Sequence, residues 1–209
     1  MKIHLVDGTY ELFRNHLSNV YRALDSEPPE ELARSVLRAE AKVFSQRPTG
    51  IVRPVIDGEV TSYFEWMGAG VYRASHRGGA MHGRRFLVGE IHYGADGANF
   101  FLRVDFLPEE QRRLPGMEVH LTLEGADKAR ISILLGDGAV EITEGDPLQI
   151  EICFGRVLEM RVPLEVAGPR DFGKLRFQLS LWQDGLPVDA LPVAGWIELE
   201  TKDPGEWAV

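Results

Sequence analysis

The sequence predicts a mainly β protein, an antiparallel β-sandwich preceded by a helical hairpin. From about residue 50 the apolar period changes to two, and eight short segments alternate apolar and polar residues, which is typical of strands with one buried face. Turn-forming sequences such as Gly136-Asp137-Gly138 and Asp184-Gly185 separate these segments. Before about residue 50, the apolar residues instead recur with the period of an amphipathic helix.

The N-terminal helices are predicted from two apolar stripes. The first stripe, with spacings of three and four residues, consists of Phe13, Leu17, Val20 and Leu24. Residues 25–29, which include two prolines, break this helix, and a second stripe begins at Leu32. Such stripes must be buried against the sandwich or a second copy of the chain, so the hairpin is a candidate homodimer interface. We therefore predict a helical arm over 1–48, a β-sandwich domain over 49–203 and a tail over 204–209.

The strands are predicted from alternation with a period of two. The eight segments are 86–93, 99–106, 117–124, 129–135, 148–154, 157–164, 175–182 and 196–200. Because each segment has one polar face, the strands should pair in antiparallel sheets, and this many short strands indicates a β-sandwich. Pro163, inside one segment, indicates a sheet edge or a bulge.

Charge and cysteine content exclude several classes of protein. The 23 basic and 32 acidic residues give a net charge of −9, which argues against nucleic-acid binding because that depends on a basic surface. The single cysteine, Cys153, excludes an intramolecular disulfide, and its apolar neighbours predict a core position. No apolar run is long enough for a membrane span and no signal-peptide pattern is present, so we expect a cytoplasmic protein.

Common catalytic motifs are absent from the sequence. The first fourteen residues resemble the first strand and turn of PIN-type nucleases, in which an acid at the position of Asp7 would help to bind a divalent metal. That chemistry needs several carboxylates at the ends of parallel strands, and no alternating βαβ pattern follows to supply them. A PIN-like nuclease is therefore kept only as an alternative.

A resemblance covers most of the chain, from about residue 11 to residue 200. Its pieces include the helix 11–22, Pro54-Val-Ile-Asp-Gly58, Tyr63-Phe-Glu-Trp-Met-Gly-Ala-Gly70, Phe101-Leu-Arg-Val-Asp-Phe106 and Leu191-Pro-Val-Ala-Gly-Trp-Ile197. In this order they resemble the C-terminal region of glycoside hydrolase family 57, the amylase and 4-α-glucanotransferase group. The resemblance implies a β-sandwich like those of carbohydrate-binding modules and a role in carbohydrate metabolism.

The resemblance implies no catalytic residue in this chain. In that family the two catalytic carboxylates lie on a barrel that precedes the similar region, and this sequence has no room for a barrel. We therefore expect a non-catalytic accessory module whose partner is an α-glucan or a separate glycoside hydrolase catalytic domain. The alternatives are a structural or oligomerisation protein without glycan binding, and a remnant hydrolase.

Candidate ligand contacts come from a dense aromatic stretch, the basic stretch that follows it and one distant tryptophan. Sugar binding needs an exposed aromatic ring for the apolar face of a pyranose, with hydrogen-bonding side chains around it. The predicted ligand-binding residues are Tyr63, Trp66, Tyr72, Arg73, Arg77 and Trp182. We expect Trp66 to lie in the core, Tyr72 or Trp182 to be the exposed ring, and Trp196 to be a core residue.

No metal site or cofactor is predicted, except that the acidic segment 137–146 could bind a structural calcium ion. Its oxygen-rich side chains suit calcium, although its Asp-Gly pair also suits an ordinary hairpin turn. The six histidines show no close metal-ligand spacing. Among them, His92 and His120 are expected to face solvent or to contact a neighbouring strand.

Overall fold

The computed structural model describes residues 45–62, 64–74, 86–146, 149–167, 173–192 and 195–201, together with Tyr21 and Pro29. The chain divides into two compact units, Met1–Lys42 and Val43–Val209. The predicted tail falls outside the described residues, and so does the predicted helical arm except for Tyr21, Pro29 and residues 45–48. At the end of that arm a helix is wrong, because Ser45–Gln46 pair with residues 71–72 as a strand. The rest of the arm and the tail stay predictions, as does the predicted domain boundary at residue 48.

The described residues form two antiparallel sheets. Their strands are β1 (Ser45–Gln46), β2 (Gly70–Arg73), β3 (Val88–Ala95), β4 (Asn99–Phe106), β5 (Glu118–Glu124), β6 (Lys128–Leu135), β7 (Val140–Glu144), β8 (Glu151–Phe154), β9 (Leu158–Pro163), β10 (Lys174–Gln183), β11 (Leu186–Leu191) and β12 (Ile197–Glu200). The first sheet has the order β1-β2-β3-β4-β9-β8. The second has the order β11-β10-β5-β6-β7, and β12 pairs with the first half of β10.

The predicted mainly β fold with two antiparallel sheets is confirmed, and each of the eight predicted segments overlaps one strand. Alternate residues of both sheets enter one apolar core, as the alternation predicts. Phe177 of β10 joins the sheets, because its ring centroid lies 5.2 Å from that of Tyr93 and 5.1 Å from that of Phe100. Burial of each such side chain stabilises the fold by roughly 1.5–3 kcal/mol.

Four strands were not predicted from the sequence. Strand β1 has two residues and β2 has four, too few for an alternation to be recognised. Strand β7 lies within the acidic segment, where three of its five residues are polar. Strand β11 contains Pro187, which is tolerated because β11 is at the edge of its sheet. Pro163 ends β9 beyond the last pair with β8, so it has a strand neighbour on one side only.

Residues 50–62 and 64–69, which we call the covering segment, lie on the outer face of the first sheet. Val52, Trp66 and Ala69 form a small second apolar cluster with Phe101 of β4. The sheet accommodates this contact at Gly94 of β3, where a Cβ would lie only 2.5 Å from the Val52 side chain. The covering segment is therefore packed on the sheet and gives it a second buried layer.

The outer face of the second sheet is polar and partly open to solvent. Along β10, the residues that point away from the core are half-buried and alternate with fully buried ones. Helical structure in the described part of the chain includes the short 3-10 helices Gln111–Arg113 and Leu164–Ala167. In that part, no helix is both long and apolar enough to cross a membrane.

Candidate functional site

The structure separates the predicted ligand-binding residues instead of gathering them. Trp66 is 6 % exposed and Tyr72 is 5 % exposed, on opposite sides of the first sheet. The expected core position of Trp66 is confirmed. The expected exposure of Tyr72 is wrong, because the alternation of β2 turns its ring into the main core. Arg73, the next residue, is exposed and pairs with Glu90 at 2.8 Å.

The other predicted ligand-binding residues lie elsewhere. Tyr63 and Arg77 fall outside the described residues. Trp182 is half-buried on the outer face of the second sheet, far along the chain from the aromatic stretch. Among the predicted aromatic residues that the structure describes, Trp182 is therefore the one whose ring a ligand could reach.

A buried carboxylate that the sequence did not single out lies beneath the covering segment. Glu159 of β9 is 0 % exposed. Its Oε2 accepts hydrogen bonds from the backbone N–H groups of Asp57 and Gly58, at 3.1 and 3.0 Å. Its Oε1 accepts one from the Trp66 indole at 3.0 Å. Burial raises the pKa of the Glu159 carboxyl above its ordinary value of 4.5, although these three donors oppose the change.

A tight turn at Gly58 brings the covering segment to this carboxylate. Gly58 has a φ of +77°, and a Cβ there would lie 2.8 Å from the backbone nitrogen of Gly155. Only glycine fits this conformation and this close approach without strain. Asp57 supports the turn, because its side chain accepts a hydrogen bond from the Glu59 N–H at 2.8 Å. Glu159 and this turn together attach the covering segment to β9.

A row of alternating charges crosses the same face of the first sheet. His92 Nε2 lies 3.5 Å from Glu90 and 3.8 Å from Asp105. Arg73 bonds to Glu90, and Arg103 makes two hydrogen bonds of 2.7 Å to Asp105. Burial lowers the pKa of His92, and the two arginines lower it further against the pull of the two carboxylates. Because an arginine binds each carboxylate, this row is an ion-pair network rather than a metal site.

The predicted calcium segment is used in strand pairing. Glu144 accepts a hydrogen bond from the Ser132 hydroxyl at 2.9 Å and pairs with Arg130 at 3.3 Å. Asp146 accepts one from the Gln149 side chain at 2.8 Å. Among the residues that the structure describes, no group of three or more His, Cys, Asp or Glu side chains is placed to hold a metal ion. Structural calcium stays a prediction.

On the second sheet, Trp182 belongs to a network of polar side chains. Its ring centroid lies 5.3 Å from that of His120, and its indole N–H donates to the Ser180 hydroxyl at 2.9 Å. His120 Nε2 lies 3.0 Å from a Glu118 oxygen, and Arg130 contacts its Nδ1. A guanidinium can only donate, so Nδ1 accepts and Nε2 carries the hydrogen. These contacts hold His120 beside the tryptophan, and so help to orient the indole.

A second tryptophan lies on the same face. The Trp196 ring centroid is 5.3 Å from Lys128 Nζ and 5.6 Å from the guanidinium carbon of Arg176, both cation–π distances. The expected core position of Trp196 is wrong. Ile197 and Leu199 of β12 point into the core, and Trp196 directly precedes Ile197, so the alternation places it on the outer face. Trp196 is half-buried there.

We call this surface the tryptophan face; its residues are Trp182, Ser180, Gln178, Thr122 and Trp196. The first three point outward from β10, and Thr122 lies opposite Gln178 on β5. Indole rings offer apolar surfaces, while hydroxyl and amide groups both donate and accept hydrogen bonds. This combination suits a ligand that has apolar faces and many hydroxyl groups.

Some residues on the outer faces of both sheets were not predicted correctly from the sequence. The outward position of Trp196 could have been found from the alternation of β12. For Glu159 no local signal exists, because its burial comes from a segment about a hundred residues away. Cys153 is half-buried rather than a core residue, since its neighbours in β8 pack against the core and its sulfur faces the turn at Gly58.

Comparison with protein-family models, with curated proteins and with solved structures finds no match to this chain. The likeness to glycoside hydrolase family 57 therefore rests on the sequence pieces alone.

Proposed function

We propose that the chain is a non-catalytic accessory module that binds a glycan through the tryptophan face. One observation carries the proposal: Trp182 and Trp196 lie on the same outer face, with Ser180, Gln178 and Thr122 between them. The class of glycan, an α-glucan, comes from the resemblance to the C-terminal region of glycoside hydrolase family 57.

The chemistry of the face favours binding without hydrolysis. An indole stacked on a sugar ring contributes about 1–3 kcal/mol, by analogy with base stacking. A retaining glycosidase needs two carboxyl groups roughly 5 Å apart with one acting as nucleophile. On this face the nearby carboxylates are engaged: Glu118 bonds to His120, and Glu144 bonds to Ser132 and Arg130. The face thus offers contacts for a sugar, with its carboxylates held in side-chain networks.

Electrophoresis through a native gel that contains soluble starch tests this proposal. The parent protein should be retarded, and Trp182→Ala should be retarded much less, with an unchanged melting temperature. Phe64→Ala is the matched control, since Phe64 is an aromatic residue that is 71 % exposed on the covering segment. Equal retardation of parent and Trp182→Ala would contradict the proposal, as would loss of retardation in the Phe64 variant alone.

A second candidate function is docking to a separately encoded glycoside hydrolase catalytic domain. It is favoured by the covering segment, where Phe64 and Met67 are 71 % and 62 % exposed and a turn hydrogen bond of 3.2 Å joins them. Adjacent exposed apolar side chains of this kind are typical of protein interfaces. Titration with a family 57 catalytic domain tests it: Phe64→Ser should abolish binding, whereas Trp182→Ala should not. Self-association of the parent that Phe64→Ser removes would assign this surface to a homodimer instead.

A further inference from the structure

The two tryptophans of the tryptophan face are too far apart to contact one sugar ring. The Trp196 indole lies against Arg176, near the start of β10, whereas Trp182 is near its end. The six steps along the strand from Arg176 to Trp182 correspond to roughly 20 Å at about 3.3 Å per residue. A ligand that contacts both rings must therefore contain several sugar units.

Hydrogen-bonding side chains follow β10 between the two rings. Ser180 and Gln178 both point outward, with His120 and Thr122 opposite them on β5. The Gln178 amide nitrogen donates to the Gly195 carbonyl, which orients the amide next to Trp196. Outward residues repeat every second position, about 7 Å apart. Polar contacts at such intervals suit a chain of sugars that runs along β10.

The tryptophan face is a continuous surface rather than a pocket. The pairing of β10 with β11 shifts between Leu181 and Trp182, whereas from β10 toward β5 and β6 the pairing has no register shift. Such strands form a smoothly twisted face. A long ligand can extend beyond either tryptophan, so the face can bind an internal stretch of a polysaccharide.

Charges on this face are balanced, which favours an uncharged ligand. Arg130 pairs with Glu144 at 3.3 Å, and Arg176 is bonded to Glu124. At either of these arginines, an anionic sugar would have to displace a carboxylate. A neutral sugar can instead bind between the two pairs without breaking either.

We infer that the tryptophan face binds several consecutive neutral sugar units laid along β10, with Trp182 and Trp196 contacting different units of one chain. This inference rests on the proposed function and adds the length, direction and charge class of the ligand.

Calorimetry with linear maltooligosaccharides of increasing length, from maltose to long maltodextrins, tests the inference. Affinity should rise with chain length until one ligand reaches both rings and then level off, because the second contact becomes intramolecular. For long chains, Trp182→Ala and Trp196→Ala should each weaken binding about tenfold or more, as expected from loss of one stacked ring. Maltose should bind at each ring separately. Each variant should therefore lower the number of maltose molecules bound per protein and leave the affinity of the remaining site unchanged.

Two further variants show whether a loss of affinity comes from loss of folding. Gln178→Ala lies between the rings and should weaken binding of long chains while leaving the melting temperature unchanged. Trp196→Phe keeps an aromatic ring and should retain most of the affinity. Affinity that is independent of chain length, or unaffected by Trp196→Ala, overturns the inference while leaving glycan binding in place. Absence of binding at every length overturns the proposed function as well.

Discussion

Replacing Glu159 should loosen the covering segment, because this side chain accepts three hydrogen bonds from it. In Glu159→Ala the N–H groups of Asp57, Gly58 and the Trp66 indole all lose their acceptor. In Glu159→Gln a single amide oxygen can still accept the two backbone donors, because both bind the same carboxylate oxygen. The new NH₂ group then faces the Trp66 indole N–H, donor against donor.

The magnitudes follow from the cost of unsatisfied buried donors. One lost bond with an opposed donor costs about 1–3 kcal/mol, so we expect that loss in unfolding free energy for Glu159→Gln. Loss of all three bonds should lower the unfolding free energy of Glu159→Ala by about 3–5 kcal/mol. This is a net cost, because removal of the buried carboxyl offsets part of the loss. We therefore expect the unfolding free energy to be lowest for Glu159→Ala, intermediate for Glu159→Gln and highest for the parent.

Urea unfolding followed by tryptophan fluorescence measures these losses as shifts of the midpoint at constant slope. Glu151→Gln is the matched control, since Glu151 is an exposed glutamate of the neighbouring strand that pairs with Arg161 at 3.1 Å. It should change stability by less than about 0.5 kcal/mol. If both Glu159 variants were as stable as the parent, the hydrogen bonds would not outweigh the burial of the carboxyl, and the reasoning would fail.

Three further predictions concern titration, the buried tryptophan and activity. Because burial raises the pKa of Glu159, its stabilising contribution is fully present below a pH of about 4.5 and is lost as pH rises through the folded-state pKa. As pH rises through that range, the difference in unfolding free energy between the parent and Glu159→Gln, measured by urea unfolding, should therefore become smaller. A difference that grows with pH would contradict this. Trp66→Ala should cost about 3–5 kcal/mol in thermal or urea unfolding but leave glucan affinity unchanged; a stable variant that had lost binding would reverse our assignment of Trp66. The purified chain should release no reducing ends from soluble starch, and turnover that one carboxylate substitution abolishes would refute the accessory role.

The strands could be predicted because alternation along a strand follows directly from burial of one face. Segment 175–182 shows this clearly: Leu175, Phe177, Leu179 and Leu181 enter the core, and the residues between them do not. The types of neighbouring residues and their order along the chain are sufficient for that inference. Strands β1, with two residues, and β11, with a proline, were missed because neither shows a full alternation.

The candidate site could not be predicted in the same way, because exposure of an outward residue depends on distant parts of the chain. Trp66, Tyr72 and Trp182 were all predicted ligand-binding residues, and only the core position of Trp66 was expected correctly among the two that are buried. The covering segment packs Trp66 into a cluster with Phe101, and Val52 against Gly94, through contacts that no local pattern encodes. Glu159 points away from the main core as alternation predicts, yet the same segment buries it completely.

Calorimetric titration of the parent chain with maltoheptaose tests the central claim most directly, that the tryptophan face binds an α-glucan. We expect a saturable heat at millimolar ligand whose affinity falls about tenfold or more in Trp182→Ala and is unchanged in Phe64→Ala, with all three proteins equally folded. No heat for the folded parent at millimolar ligand, or equal heat for the parent and Trp182→Ala, would contradict it and leave docking through the covering segment as the remaining proposal.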